Sequence, residues 1–440
     1  MPFNHDKNEH GDTVNRKRPF FTAKERDGHI IRSIALTQMF CDCQKATAVI
    51  IEYDVDIKGS SLGADVFAVT DTFETALYPK AAAAVNGGVV NSERNITAIY
   101  ANTAPEKTST PAERGRFVVI ELSPDDEAAP TIYLTGYHRN CRAHAKTLKL
   151  ITEQLSPLIS SSGESIEPGA LIYNTKTINL VVDDFIEGEF EGIKYNLYIP
   201  KGYDGKKKFP LLNFISDGWG IGPDCKTALT QGYGGTIWAF PNEQAKRECF
   251  VLSPQFPGPT IVEDDFTATD EVEIAKRLID FIVEKYGIDK NRIYHTGQSM
   301  GYLSGCELNI RYPDLFAGSL LVAGFWNPKT MTALKDKNIW FLICQGDGHA
   351  FSAMDEAINN LEEVGADVGR YSWDAKEGVD AIDKNVREAI SEGHKIKYSV
   401  FKAGSVQEAT QPFGDHRATW LFCYQLESLR EWLFSNKKDD

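Results

Sequence analysis

No apolar run in this 440-residue chain approaches the roughly 18–20 residues that a membrane-spanning helix needs. The nearest, "IIRSIALTQMF", is short and broken by Arg32. Positive charge is also in deficit. Against 62 Asp and Glu stand 47 Lys and Arg, a formal net charge of −15, which argues against nucleic acid or an anionic membrane as partner. The polar start "MPFNHDKNEHGDTVNRKRPFF" lacks the apolar centre of a secretory signal, so the expected location is cytoplasmic, or secreted if a signal was removed. Cysteine is too sparse and scattered for a disulfide framework: eight in the whole chain. Cys249, Cys306, Cys344 and Cys423 lie in apolar segments and read as small buried hydrophobes. "CDC" at 41–43, with His5 and His10 upstream, is at most half a metal site, because no second Cys/His pair has zinc-like spacing. A glycine-rich phosphate loop and a dinucleotide fingerprint are both missing. No metal and no cofactor are expected.

What is present is a globular composition, 42% hydrophobic and 25% charged, in a chain long enough for two domains. Residues 1–32 read as a loosely held segment. Over 33–154, "ATAVIIEYDVDI", "RNITAIYAN", "GRFVVIELS" and "TIYLTGY" alternate in the manner of strands, with Val49, Ile51 and Tyr53 on one side. Short strands between glycine and proline turns predict an all-β sandwich. Residues 155–175, which include the Ser-, Gly- and Pro-rich "LSPLISSSGESIEPGA", read as a linker. A strand pair, "TINLVVDDF" and "IKYNLYIPKGY", opens the remaining domain, 176–440. There, near-continuous apolar strands such as "FPLLNFI", "CFVLSPQF" and "IWFLICQGD" alternate with amphipathic helices. In "TDEVEIAKRLIDFIVEKYG" an apolar stripe runs from Val272 to Tyr286, Asp270 with Glu273 can cap the start, and Gly287 ends it. Phe422, Leu426, Leu429 and Leu433 predict a last helix. This texture means a mostly parallel sheet covered on both faces, the α/β class.

The stretch "RIYHTGQSMGYLSG" carries the chemistry. G-Q-S-M-G lies between a predicted strand and a predicted helix, the context of a nucleophile elbow centred on Ser299. The turn is so tight that side chains two residues to either side would collide, which Gly297 and Gly301 avoid. A serine hydroxyl needs a general base, and the base needs an acid to orient it. In the chain order of α/β-hydrolases, Ser then Asp or Glu then His, the base is His416 in "PFGDHRATW" and the acid Asp347 at the end of "IWFLICQGD". Asp355, Asp374 and Asp380 are rival acids on helix surfaces or loops. His394 reads as a solvated turn residue and His295 as a packed one. An oxyanion hole would take one donor from the backbone of Met300 and one from "SDGWG", at Gly218 or Trp219. Trp219, Trp238 and Trp326, with Tyr302 and His349, are candidates for an apolar substrate pocket.

With these residues placed, the chain resembles the α/β-hydrolase esterases described as predicted peptidases or polyhydroxybutyrate-depolymerase-like esterases. Within that group it is most similar to members with an N-terminal immunoglobulin-like domain. The resemblance covers most of 180–440 and rests on "EFEGIKYNLYIPKGYD", "IWAFPNEQAKRECFVLSPQF", "RIYHTGQSMG", "IWFLICQGDGHAF" and "DHRATWLFCYQLESLREWLF". It implies the α/β-hydrolase fold, a serine-hydrolase activity on esters, and roles for Ser299, Asp347 and His416. Two departures stand out. The elbow continues Ser-Met-Gly-Tyr instead of Ser-Met-Gly-Gly, so Tyr302 is expected to shape the pocket, and the oxyanion loop begins Ser216-Asp217 where His-Gly is usual. The leading expectation is a carboxylic-ester hydrolase acting on a small-molecule ester. The competing expectations are a serine peptidase of the same fold, and a carbohydrate- or polymer-binding protein with the hydrolase domain as scaffold. The front domain is open to three readings: a cap over the site, a homo-oligomer contact, or a purely stabilising unit.

Overall fold

The computed structural model describes residues 28–74, 89–135, 142–169, 171–258, 260–410 and 414–438. The segment read as loosely held lies outside them up to residue 27, with His5 and His10, and so does Cys141.

Among the described residues, thirteen strands build the front domain: β1 (Ile30–Met39), β2 (Gln44–Lys58), β3 (Phe67–Glu74), β4 (Val89–Glu93), β5 (Ile96–Asn102), β6 (Arg114–Leu122), β7 (Ile132–Thr135), β8 (Arg142–Ala145), β9 (Leu150–Gln154), β10 (Leu158–Ile159), β11 (Ser165–Ile166), β12 (Leu171–Tyr173) and β13 (Lys176–Asn179). They form one sheet in the order β13-β1-β2-β6-β5, a second in the order β12-β9-β3-β4, and two small hairpins, β7–β8 and β10–β11. The two-residue period of a strand sends Val49, Ile51 and Tyr53 into the core between the sheets, with Phe67, Val69, Val118 and Ile120. Ala48 and Ile50 point the other way, onto Tyr100, Phe117 and Val119.

The stretch read as a linker is not a free tether. Its serines and glycine close the β10–β11 hairpin, where the Ser160 N–H reaches the Glu164 carbonyl at 2.9 Å. The strand read over "TINLVVDDF" splits as well. Its first half, β13, pairs in parallel with β1, Ile34 opposite Lys176 through Thr37 opposite Asn179. The second half turns through Val182–Asp184 and enters β14.

β14 (Phe185–Phe190) and β15 (Ile193–Tyr198) open a nine-stranded sheet with β16 (Leu211–Ile215), β17 (Phe250–Gln255), β18 (Ile293–Gln298), β19 (Gly318–Val322), β20 (Ile339–Cys344), β21 (Val368–Trp373) and β22 (Ile396–Phe401). Their order is β14-β15-β17-β16-β18-β19-β20-β22-β21, antiparallel as far as β17 and parallel beyond. β16 to β20 and β22 are buried along their whole length, which is why apolar residues appear in them without strict alternation. Apolar cores fill both faces of this sheet.

The helix Glu271–Tyr286 buries Val272, Ala275, Leu278, Ile279, Ile282 and Val283, and ends at Gly287 in the left-handed conformation, φ 62°. Asp270 makes no side-chain cap. Glu273 instead binds Arg311 and Tyr312 of the neighbouring helix. The single last helix of the sequence reading is two, Asp415–Cys423 and Glu427–Ser435, broken at residues 424–426.

Candidate active site

The site lies where β16, β18, β19 and β20 end, on the carboxyl side of the parallel sheet. β18 stops at Gln298 and the helix Met300–Arg311 begins two residues later. Ser299 fills the gap at φ 51°, ψ −116°, a conformation few non-glycine residues adopt. Its N–H donates to the carbonyls of Val322 and Ala323, at 3.2 and 3.1 Å. The flanking glycines are required by space. A Cβ on Gly297 would stand 2.5 Å from the Gly301 carbonyl carbon, and one on Gly301 would stand 1.9 Å from the Ile215 carbonyl oxygen.

Asp347 follows β20 at the head of the helix Gly348–Glu363. His416 sits in the first turn of the helix Asp415–Cys423, its ring edge-on to Trp420 with centroids 5.1 Å apart. Asp415 fastens that turn by accepting the Gly404 N–H, at 3.2 and 3.1 Å to its two oxygens. Sequence positions 299, 347 and 416 thereby converge. His416 Nδ1 lies 2.7 Å from Asp347 Oδ2, and Nε2 lies 3.0 Å from Ser299 Oγ. An ionised carboxylate can only accept, so Nδ1 carries the ring proton and Nε2 is left to accept from the serine hydroxyl. The Asp347 side chain is 11% exposed while that of His416 is 42% exposed, so the acid is enclosed and the base faces the opening. Asp355 and Asp374 are engaged with Arg370 and Lys402, and His394 with Asp367, all away from the serine.

The turn Gly218–Gly220 follows β16 and faces the elbow. The Trp219 N–H is spent on Asp217 Oδ1 at 2.8 Å. The Gly220 N–H is spent on the Asp217 carbonyl at 3.1 Å. Between the two oxyanion candidates of this loop, this leaves the Gly218 N–H available. The Met300 N–H opens its helix, where no intrahelical acceptor exists.

Three residues that support this arrangement carry no motif in the sequence. Gln298 Nε2 donates to Asp217 Oδ2 at 2.9 Å and so ties the residue before the nucleophile to the oxyanion turn. The guanidinium of Arg417, the residue after the base, lies 5.2 Å from the centroid of the Trp219 ring. His295, fully buried beneath the elbow, takes the Asn213 amide at Nδ1 (3.0 Å) and so offers its Nε2–H to the Gly301 carbonyl, 3.3 Å away. Burial holds its pKa down at about 4, so the ring is neutral. The sequence signal for Gln298 and Arg417 is adjacency to Ser299 and His416, while His295 reads from the sequence only as a packed residue.

Most of the aromatic pocket does not form. Tyr302 is fully buried behind the elbow, packed on Phe341 with its hydroxyl toward Met354. At that position a side chain on the helix faces the sheet, not the cleft. Trp238 is buried on the other face of the sheet, stacked on Phe434, its N–H on the Gly234 carbonyl. Trp326 is buried against Phe266, with its N–H on Glu307. Of the five, Trp219 and His349 remain beside the triad. His349 is exposed, its ring edge-on to Phe325 at 4.9 Å. Burial pushes the Cys43 thiol pKa up to about 12.

The strand order, the strained serine and the hydrogen-bonded acid and base define an α/β hydrolase. Residues 32–167 match the family model of the esterase Ig-like N-terminal domain. A thermostable esterase of solved structure aligns over 93% of this chain and 100% of its own, with a TM-score of 0.77 and 26% identity. A feruloyl esterase module from Clostridium thermocellum aligns over 58% of this chain and 89% of its own, with a TM-score of only 0.41 and 14% identity. No curated protein matches the chain. The chain is therefore a carboxylesterase-type hydrolase with an immunoglobulin-like N-terminal domain.

Proposed function

We propose that the protein hydrolyses small aryl or acyl carboxylic esters through Ser299, His416 and Asp347. The observation that carries this is the continuous hydrogen-bonded path from Ser299 Oγ through the His416 ring to Asp347, at 3.0 and 2.7 Å. Ser299 Oγ attacks the ester carbonyl as His416 Nε2 takes its proton. The carbonyl oxygen becomes an oxyanion between the N–H groups of Met300 and Gly218. Collapse of the intermediate breaks the ester C–O bond, and His416 returns the proton to the leaving alcohol. Water then attacks the acyl-enzyme by the same route, releasing the acid and restoring Ser299. Asp347 orients His416 and stabilises the imidazolium throughout.

Fluorophosphonate labelling, with the modified residue located by mass spectrometry, tests the assignment directly. Modification of Ser299 together with turnover of p-nitrophenyl esters is the expected result. Their chain-length profile then sizes the acyl site. A protein that is neither labelled nor active, or one in which Ser299→Ala hydrolyses esters unchanged, sinks the reading.

A further inference from the structure

One of the contacts between the immunoglobulin-like domain and the catalytic half is made at the end of β1. Met39, at the end of β1, shares a buried cluster with Leu212, Phe214 and Trp420 of the hydrolase domain. The next turn lies so close to Gly232 that a Cβ there would stand 2.4 Å from the Cys41 carbonyl oxygen. One residue on, the Asp42 carbonyl accepts Nη2 of Arg417 at 3.1 Å. Arg417 is 6% exposed and directly follows His416. Its guanidinium lies over the Trp219 ring, 5.2 Å from guanidinium carbon to ring centroid. In the same turn, Asp217 holds the Trp219 N–H at 2.8 Å and is itself held by Gln298 at 2.9 Å. The residue before the nucleophile and the residue after the base thus both contact the oxyanion turn, one at Asp217 and the other at Trp219.

Burying a guanidinium costs desolvation that an apolar side chain of similar volume would not. What arginine supplies is a flat face for an aromatic ring together with in-plane donors for a carbonyl, a combination a lysine ammonium cannot reproduce. We propose that Arg417 is a positioning residue. It sets Trp219, and with it the Gly218 donor, relative to His416, and it anchors that setting to the immunoglobulin-like domain through Asp42. The inference rests on the esterase reading above. An oxyanion donor acts on the transition state more than on bound substrate, so misplacing it lowers kcat and leaves KM nearly unchanged.

The test compares Arg417→Lys, Trp219→Leu, Trp219→Phe and the Arg417→Lys/Trp219→Leu double variant with the wild type, all as full chains. Steady-state kinetics on p-nitrophenyl acetate and melting temperature are the readouts. Arg417→Lys is expected to lower kcat by about 10- to 100-fold with KM little changed. Trp219→Leu should do the same and Trp219→Phe should recover much of the loss. The double variant should be little worse than the worse single, since both changes remove one contact. An unchanged kcat in Arg417→Lys, or losses that multiply in the double variant, overturns the proposal. Should Arg417→Lys not fold, equal kcat in the Leu and Phe variants of Trp219 overturns it instead. A wild type that turns over no ester removes the esterase reading; a wild type labelled at Ser299, with Arg417→Lys fully active, removes only the positioning role.

Discussion

At the scale of single residues, the site separates groups that perform chemistry from groups that hold them. Ser299→Ala should lower kcat by about 10⁶-fold with no loss of melting temperature, because only a hydroxyl is removed. Asp347→Asn keeps the shape and should cost about 10⁴-fold, because an amide can stabilise the wrong ring tautomer of His416. His295 has a different signature. Its folded pKa of about 4 lies below its ordinary 6.5, so both folded and unfolded chains hold it neutral above 6.5. As the pH falls from 6.5 to 4 the unfolded chain takes up the proton first, and stability is lost across that window. The full loss is about 3 kcal/mol. Urea midpoints between pH 7 and pH 4 should fall accordingly, and His295→Gln should flatten the part of the curve due to this residue. A wild-type curve identical to that of the variant would contradict the assignment. Ser299, Asp347 and His416 could be singled out in the sequence because the fold sets their chain order and places them in the turns that follow strands or precede the last helices. Tyr302, Trp238 and Trp326 misled because an aromatic near the elbow, in a helical turn or after a strand has the same local sequence whether it faces a cleft or a core.

At the scale of elements, the same substitution has opposite consequences in two turns. Gly301→Ala places a methyl against the backbone of β16, which cannot move without shifting the sheet. A loss of 3 kcal/mol or more and an inactive enzyme are expected, roughly the upper end of overpacking costs. Gly287→Ala meets nothing within 4 Å but keeps a positive φ of 62°. It should cost about 1 kcal/mol of stability and leave kcat unchanged. Thermal melts and p-nitrophenyl acetate turnover on the two variants check both statements. The parallel strands and the long helix could be read from periodicity, since both are decided by neighbours in sequence. The fate of 155–179 could not be, because serine, glycine and proline serve a hairpin turn and a flexible tether equally well. Distant partners decide between them: β2 beside β10, β9 beside β12 and β1 beside β13.

At the scale of the whole molecule, the apolar cores, two against the nine-stranded sheet and two in the front domain, describe a protein of two packed units. They do not tell how those units are joined. Hydrogen exchange can. The Leu180 N–H donates to the Thr37 carbonyl at 3.1 Å and the Thr175 N–H to that of Ser33 at 2.8 Å. Amides in 175–180 should therefore exchange as slowly as those of β1. Exchange at the rate of an unstructured peptide would show that this pairing does not persist.

The parallel pairing of β1 with β13 bears on how such a chain could be recombined. The matched domain ends at residue 167, yet the sandwich takes one of its edge strands from 176–179. Swapping front modules between relatives at 167 would leave the incoming sandwich with a foreign edge strand and the outgoing one with a bare edge open to aggregation. The workable crossover point is after Leu180, just before Val181 bends at φ 70° toward the hydrolase. Chimeras joined there should be soluble, and chimeras joined at 167 should not.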